Sequence, residues 1–429
     1  MTAPQTVDTV VVGAGHAGLA VSRLLTAAGR EHVVLDRGRV GERWRSARWD
    51  SLHLLTPSWL TRLPLWRTPD DPESFMSARR FVRRLEEYAA SFAAPVVSGV
   101  RVLRLAAGPN ETYDLSTDHG IWRARSVVLA TGPHGVPLVP APVQATDVAV
   151  VTSDRYRNPT RLRPGGVLVV GASSSGVQIA DELVRSGRDV VLAVGRHTRV
   201  PRRYRGMDIF WWLTATGRLA RTIDEVPDPE AARRETSMQL VGRAVGDHAG
   251  NDVDLAALQD RGVRLAGRLT GLEGQVARFG ENLSGDTADA DRRLGDLLAS
   301  FDRYADSSGL GREVLPPVRP RAVNVPAAPA RLDLHAERIR TVVLAAGFRP
   351  DHHWVDLPIV DPDGTVRQTC GVTDAPGVYV VGQRFQHRRD SGFIDGARHD
   401  ARAVVRHLTG GAVPPRGALR GTLTGEEPT

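Results

Sequence analysis

Gly13, Gly15 and Gly18 in the run VVGAGHAG, and Gly171, Ser173 and Gly176 in VVGASSSG, are the residues whose spacing most directly dictates chemistry in this chain. Each set follows a β-branched apolar run and precedes a helical pattern, the strand–turn–helix setting in which backbone N–H groups and a helix N-terminus face one pyrophosphate. Two such turns imply two nucleotide cofactors. A chain that holds two dinucleotides usually passes a hydride between them.

The residues after each turn distinguish the cofactors. Counting on from the first turn, the second strand ends at Asp36, with Arg37 beside it, where a carboxylate accepts hydrogen bonds from a ribose diol. The same count from Gly171, through Ser174 and Ser175 at the start of the helix, reaches Val194 and then Gly195-Arg196-His197. A carboxylate there would repel a 2′-phosphate, whereas an arginine pairs with one. The first site therefore suits the adenosine of FAD and the second suits NADPH over NADH. Arg196 would read the phosphate, with Arg199, Arg202 or Arg203 as helpers. The competing reading makes Asp36 and Arg196 ordinary strand-end surface residues. Ser173 replaces the middle glycine of the second turn, adding a Cβ where backbone should approach phosphate, although its hydroxyl can itself donate to one.

All 56 basic residues are arginine, which excludes Schiff-base chemistry on a lysine. Arginine without lysine is most simply a coding bias, so the net charge of +7 is no nucleic-acid footprint. No nucleic-acid partner is expected. Cys370 is the one cysteine, so the C-x-x-C of disulfide oxidoreductases is missing and electrons must leave for something other than a protein disulfide. His352-His353 has no second pair at metal-ligand spacing, and no metal site is expected. The polar start MTAPQT is no secretory signal and no run is long enough to span a bilayer. The expectation is a cytoplasmic protein with no membrane partner.

The elements that must position these residues place the chain in the α/β class, with two dinucleotide-binding Rossmann-like domains. Residues 1–162 read as the first part of a discontinuous FAD domain. It contains the fingerprint unit, a Trp-rich loop, a helix with Phe81, Leu85, Tyr88 and Phe92 at helical spacing, a short β-meander and a strand ending in Thr131-Gly132. Residues 163–335 read as an inserted NADPH domain with a helical insertion near 284–306, closed by a Pro- and Ala-rich linker. The FAD domain resumes over 336–408, with strands at Thr341–Gly347 and Gly377–Gly382. Residues 409–429 read as a disordered tail.

Several segments in a fixed order carry a resemblance: VVGAGHAGLA, GERWRSARWDSLHLLTPSWLTRLP, VVLATGPHGVP, VVGASSSGVQIADEL, VVLAAGFRPD, and VYVVGQRF with SGFIDGARHDA. Together they resemble the flavin-containing monooxygenase superfamily, in particular its bacterial branch and the plant indole-pyruvate monooxygenases. The resemblance covers nearly the whole chain to about residue 408. It implies that Trp44 lies against the flavin and that Thr131-Gly132 is the strand end beside FAD. It also places Gly382 and Phe393 in a C-terminal return, where a helix N-terminus faces the isoalloxazine and stabilises negative charge. Asp395 either bonds the cofactor or caps that helix.

The chain also departs from the family pattern. No Asn stands between residues 38 and 75, which leaves His53 and Thr56, with Ser58, as the polar groups available to assist oxygen chemistry. Thr152 takes the place of the His in the linker motif before the second fingerprint, and Ala346 replaces the Thr of the second A-T-G. The tryptophans at 44, 49, 59 and 66 and the run Phe210-Trp211-Trp212 either line an aromatic substrate pocket or pack the domain interface. The activity implied by the resemblance is monooxygenation: NADPH reduces FAD, O₂ adds to give a C4a-peroxyflavin, and a small organic substrate is oxygenated. A second class stays open, an NADPH oxidase or NADPH:acceptor oxidoreductase, and so does a third, a redox sensor that binds FAD without turnover.

Overall fold

A computed structural model describes residues 3–67, 71–140, 143, 147–235, 238–241, 253–325 and 327–411. Most of the expected tail, from 412 on, lies outside the described residues.

Valine-rich runs can be buried on both faces only when helices cover them, and this chain alternates such runs with amphipathic helices. In the first sheet β1 (Gln5–Val12) lies between β2 (His32–Asp36), which β3 (Val96–Ser98) flanks, and the long strand β6 (Gly120–Leu129), all parallel. The meander β4 (Val102–Ala107) and β5 (Tyr113–Thr117) adds antiparallel strands to the first half of β6. Helix α1 (His16–Ala27) covers one face, where Ala17, Ala20 and Val21 pack with Ala397, Ala401 and Val404 of the C-terminal helix. Helix α3 (Ala78–Ser91) starts at Ser77, whose hydroxyl accepts the backbone N–H of Arg80, and it buries Phe81, Leu85 and Tyr88. Between α1 and α3 lies the short helix α2 (Glu42–Ser46).

Five parallel strands make the second sheet. At its centre β9 (Gly166–Val170) pairs with β10 (Val190–Ala193), which β11 (Arg264–Ala266) flanks; on the other side β9 pairs with β12 (Ile339–Leu344) and β12 with β8 (Ala149–Thr152). This corrects the expected domain division, which gave both β8 and β12 to the FAD domain. An all-apolar strand reads alike in either sheet. What decides is register: Leu344 lies opposite Val170, so Ala345 ends beside the second glycine turn. Helix α4 (Ser174–Arg185) follows that turn, and the polar stretch near 284–306 forms one helix, α5 (Leu283–Ser307). Its Leu298, Phe301 and Ala305 are buried around Trp212, whose ring stacks on Phe301 with centroids 5.6 Å apart.

The two sheets are strapped together where their central strands end. The chain leaving β6 forms β7 (Val136–Pro137), the chain leaving β12 forms β13 (Phe348–Arg349), and the two pair antiparallel, with Leu138 N–H donating to Gly347 O at 2.9 Å. From there the chain returns to the first sheet as β14 (Val378–Val380) on β6 and closes with α6 (Ile394–Leu408).

Candidate active site

The two glycine turns are built on one plan. Gly13 N–H donates to Leu35 O at 2.8 Å, and Gly171 N–H donates to Ala193 O at 3.0 Å, each joining its turn to the neighbouring strand. Gly13 has φ +115° and Gly171 φ +109°, and a Cβ on either would stand 2.6 Å from the carbonyl oxygen of Ala130 or Ala345. The third glycines admit helix against turn: a Cβ on Gly18 would lie 1.9 Å from Gly13 O, and one on Gly176 would lie 1.7 Å from Gly171 O. The middle residues differ. Around Gly15 a Cβ would meet nothing within 4 Å. Ser173 occupies the equivalent place, with Ser174 and Ser175 opening α4 behind it. Each turn thus leaves an open cradle at a helix N-terminus, which fits a dinucleotide pyrophosphate.

The strand ends carry the expected groups in unequal ways. Asp36 ends β2, and its carboxylate accepts from the Ala14 N–H at 2.6 Å and the Gly38 N–H at 2.8 Å, so it also fixes the first turn. Exposed Arg37 lines an open cavity of about 680 Å³ with Arg39, Ser98 and Arg101. Arg196 is exposed after β10, and no ion pair ties it among the described residues. Two of its expected helpers are committed elsewhere. Arg199 is buried between Asp254, at 2.7 Å, and Asp291 on α5. Arg202 pairs with Asp208 at 2.6 Å and stacks over Phe75 at 4.0 Å from the ring centroid. Buried ion pairs of this kind hold elements together and leave no free charge for a phosphate. Arg203 is exposed.

Residues 10–210 match the family described as pyridine nucleotide-disulphide oxidoreductase. The chain is 28% identical over 407 residues, 94% of its length and 98% of the relative's, to an uncharacterized oxidoreductase, CzcO-like, from Geobacillus kaustophilus. It is 29% identical over 216 residues, 47% of its length and 50% of the relative's, to a probable indole-3-pyruvate monooxygenase from Arabidopsis thaliana. A solved flavin monooxygenase from Stenotrophomonas maltophilia, in a double-variant form, shares the fold with a TM-score of 0.65 at 20% identity, over 94% of this chain and 98% of that one. Over nearly its whole length the chain is thus similar to an oxidoreductase in sequence and to a flavin monooxygenase in fold.

Around the first cradle, Trp44 on α2 packs edge-on against Phe81, with ring centroids 5.1 Å apart. His16, in the first turn of α1, has a buried Nε2 with no partner, and burial lowers its pKa to about 4. It is neutral, as suits a helix N-terminus that disfavours positive charge. Thr131, at the end of β6, is linked to His352: the His352 Nδ1–H donates to Gly364 O at 2.8 Å, so its Nε2 accepts the Thr131 hydroxyl at 3.1 Å. Burial lowers the His352 pKa, which keeps that arrangement neutral. Gly132 has φ +74° and open space around it. Gly382, φ +77°, lies against Ala17 of α1, and Phe393 begins α6 with its ring 5.9 Å from that of Phe210.

Asp395 neither caps α6 nor stands free toward a cofactor. It is buried and accepts from Arg62 at 2.6 and 3.1 Å and from Arg398 at 3.3 Å. His53 is half-buried, with its Nδ1–H donated to Ser51 O at 3.0 Å, and pairs through its backbone with Ser77. Thr56 lies further along the same loop, which Arg202 ties to the second lobe by donating to Leu55 O. Ser58 is buried against the Ser74 hydroxyl at 3.0 Å. Sequence reasoning did not single out His134, Arg43 or Arg48, which the fold brings to the strap beside Trp44. The signal was present in that His134 follows Thr131-Gly132-Pro133 directly. No helix among the described residues is long and apolar enough to cross a membrane.

Proposed function

We propose that this flavoprotein is an NADPH-dependent monooxygenase acting on a small organic substrate. The single observation that carries the reading is the repeated cradle. Ala130 floors the first turn and Ala345 the second, and the segments that leave these two residues are zipped together as β7 and β13. Two dinucleotide sites therefore open at one junction, where electrons can pass from one bound cofactor to the other. The bound flavin would supply the redox and oxygen chemistry, and the protein supplies binding, orientation and exclusion of water. The balance is substrate, O₂, NADPH and a proton going to oxygenated substrate, NADP⁺ and water.

Named residues have specific tasks in this reading. Gly13, Gly15, Gly18 and Asp36 hold the FAD pyrophosphate and ribose, with Arg37 beside them. Gly171, Ser173, Ser174, Ser175 and Gly176 hold NADPH, and Arg196 meets its 2′-phosphate. Trp44, Thr131, Gly132, Gly382 and Phe393 surround the flavin. His53, through its Nε2, and Thr56 are the polar groups offered to the oxygen step. The likeness to a probable indole-3-pyruvate monooxygenase supports oxygenation, and the single buried Cys370 leaves no cysteine pair to take the electrons.

The test is product analysis under ¹⁸O₂ with a panel of amines, thioethers and 2-oxo acids. One labelled oxygen in a product, coupled to NADPH consumption, supports the proposal. Stoichiometric hydrogen peroxide with no label in any product would replace it by the oxidase or acceptor-reductase reading.

A further inference from the structure

Cationic side chains gather beside Trp44, where the two sheets are strapped together. The Arg43 guanidinium lies over the Phe348 ring, 5.3 Å from its centroid, and the Arg48 guanidinium lies over the Trp44 ring at the same distance. His134 packs edge-on against that Phe348 ring, with centroids 5.3 Å apart. Burial first, and then the charges of Arg48, Arg43 and Arg384, lower the His134 pKa to about 3, so its imidazole is neutral among cations.

Neither Arg43 nor Arg48 has an ion-pair partner among the described residues. Arg43 Nε and Nη2 are buried with no hydrogen-bond partner, and among the described residues Arg48 donates only to the carbonyl of Ala47. Asp154 is the one carboxylate whose charge acts on both Arg43 and Arg48. It forms no ion pair with either among the described residues, and its own Oδ1 is buried and unpartnered. Arg37 adds further positive charge near Arg43. Taking a guanidinium out of water without an acceptor is costly, and such a group is completed by a carboxylate or phosphate that accepts its fork of N–H donors. The aromatic faces of Trp44 and Phe348 fix the two guanidinium planes, which preorganises them for that role.

We propose that Arg43 and Arg48 form a binding site for the anionic oxygens of a cleft ligand, separate from the two fingerprint turns. Two sources offer this chemistry: a carboxylate on the organic substrate, or a phosphate of the nicotinamide cofactor. Neutral His134, packed edge-on against Phe348, offers the uncharged side of the site, beside which the ligand body rests. The inference rests on the reading of the strapped junction as the reaction site.

The test uses FAD-loaded protein carrying Arg43→Gln, Arg48→Gln, the double substitution, and Arg43→Lys. Benzoate and NADP⁺ serve as anionic probes and benzamide as the neutral control, each titrated by the change in flavin absorbance, with FAD content and melting temperature recorded. Loss of charge-assisted hydrogen bonds should weaken at least one anionic probe by about tenfold or more in the double variant, while benzamide stays within about twofold and Arg43→Lys recovers part of the loss. Weakened benzoate assigns the site to a substrate carboxylate, and weakened NADP⁺ assigns it to a cofactor phosphate. Failure of wild-type protein to bind either anion, unchanged affinity for both in the variants, or loss of FAD alone would overturn the proposal. If the double variant does not fold, the two single substitutions carry the same comparison. The ¹⁸O₂ measurement on wild-type protein decides the monooxygenase reading independently of these titrations.

Discussion

A single methyl group at Gly176 should disable the second cradle while leaving the first intact. A Cβ there would stand 1.7 Å from the carbonyl oxygen of Gly171 and 2.8 Å from its carbon, whereas ordinary contact begins at 3.4 Å. The obstacle is backbone, so no side-chain rotation relieves it, and α4 must move away from its turn by well over an ångström. Forced overpacking of this kind costs about 1–3 kcal/mol, and a contact this short belongs at the upper end. If the cradle bears that cost, NADP⁺ affinity falls by somewhat over about a hundredfold. FAD should be retained, because Gly18 and its turn belong to the other sheet. The assay is NADP⁺ titration of FAD-loaded Gly176→Ala, followed by anaerobic bleaching of the flavin with NADPH. Gly18→Ala, with its Cβ 1.9 Å from Gly13 O, should show the mirror result and fail to keep FAD. Gly15→Ala is the control, since nothing lies within 4 Å of its added methyl; it should fold with an unchanged melting temperature and lose only FAD affinity. Wild-type NADP⁺ affinity in Gly176→Ala at an unchanged melting temperature would refute the reasoning.

Asp36→Ala removes two acceptors from the first turn as well as a ribose contact, each worth about 1.5–3 kcal/mol when charged. FAD retention should fall by about one to two orders of magnitude, and undiminished retention by equilibrium dialysis would count against the assignment. Arg196→Ala should cost NADPH more than NADH in kcat/KM, because only the phosphorylated cofactor can use the guanidinium; equal losses would remove Arg196 from the site. Asp400, buried on α6, has its pKa raised to about 7, chiefly by burial, against about 3.9 in an unfolded chain. The fold therefore favours the protonated carboxyl, and the stability tied to it is complete below about pH 4 and lost as pH rises through about 7. Asp400→Asn should raise the melting temperature at pH 8 relative to wild type and do so far less at pH 5; an equal effect at both would exclude the linkage.

The features legible in the sequence are those that a few neighbouring residues determine. The two turns were visible because their glycines recur at fixed spacing within one strand–turn–helix unit, and α3 was visible because Ser77 caps it and Phe81, Leu85 and Tyr88 recur on one face. Sheet membership was not visible for β8 and β12. Val342-Val343-Leu344 would suit either sheet, and only pairing with β9 places it. The fates of Arg199 and Asp395 were hidden for a related reason. Arg199 meets Asp291 across 92 positions and Arg62 meets Asp395 across 333, distances over which no spacing rule acts. A charged residue near a motif looks available until the fold supplies its partner. Arg43 and Arg48 are the opposite case, since the fold brings them among aromatic rings and leaves Arg43 Nε and Nη2 without a partner.

Ser173 shows which parts of a glycine fingerprint answer to the fold and which to the ligand. Gly15 has φ −81° and ψ −178°, and Ser173 has φ −84° and ψ −173°, so both sit in extended backbone that any residue adopts. The first and third positions are different, since any Cβ there would strike a carbonyl oxygen of the protein itself. The fold thus requires glycine twice per cradle, and the bound pyrophosphate alone sets the demand at the middle. A serine at that position costs no backbone strain, and its hydroxyl makes no capping bond to α4. It stands at a helix N-terminus with no hydrogen-bond partner among the described residues, so the second cradle can offer a phosphate oxygen a side-chain hydrogen bond in exchange for the closer backbone approach that Gly15 permits in the first.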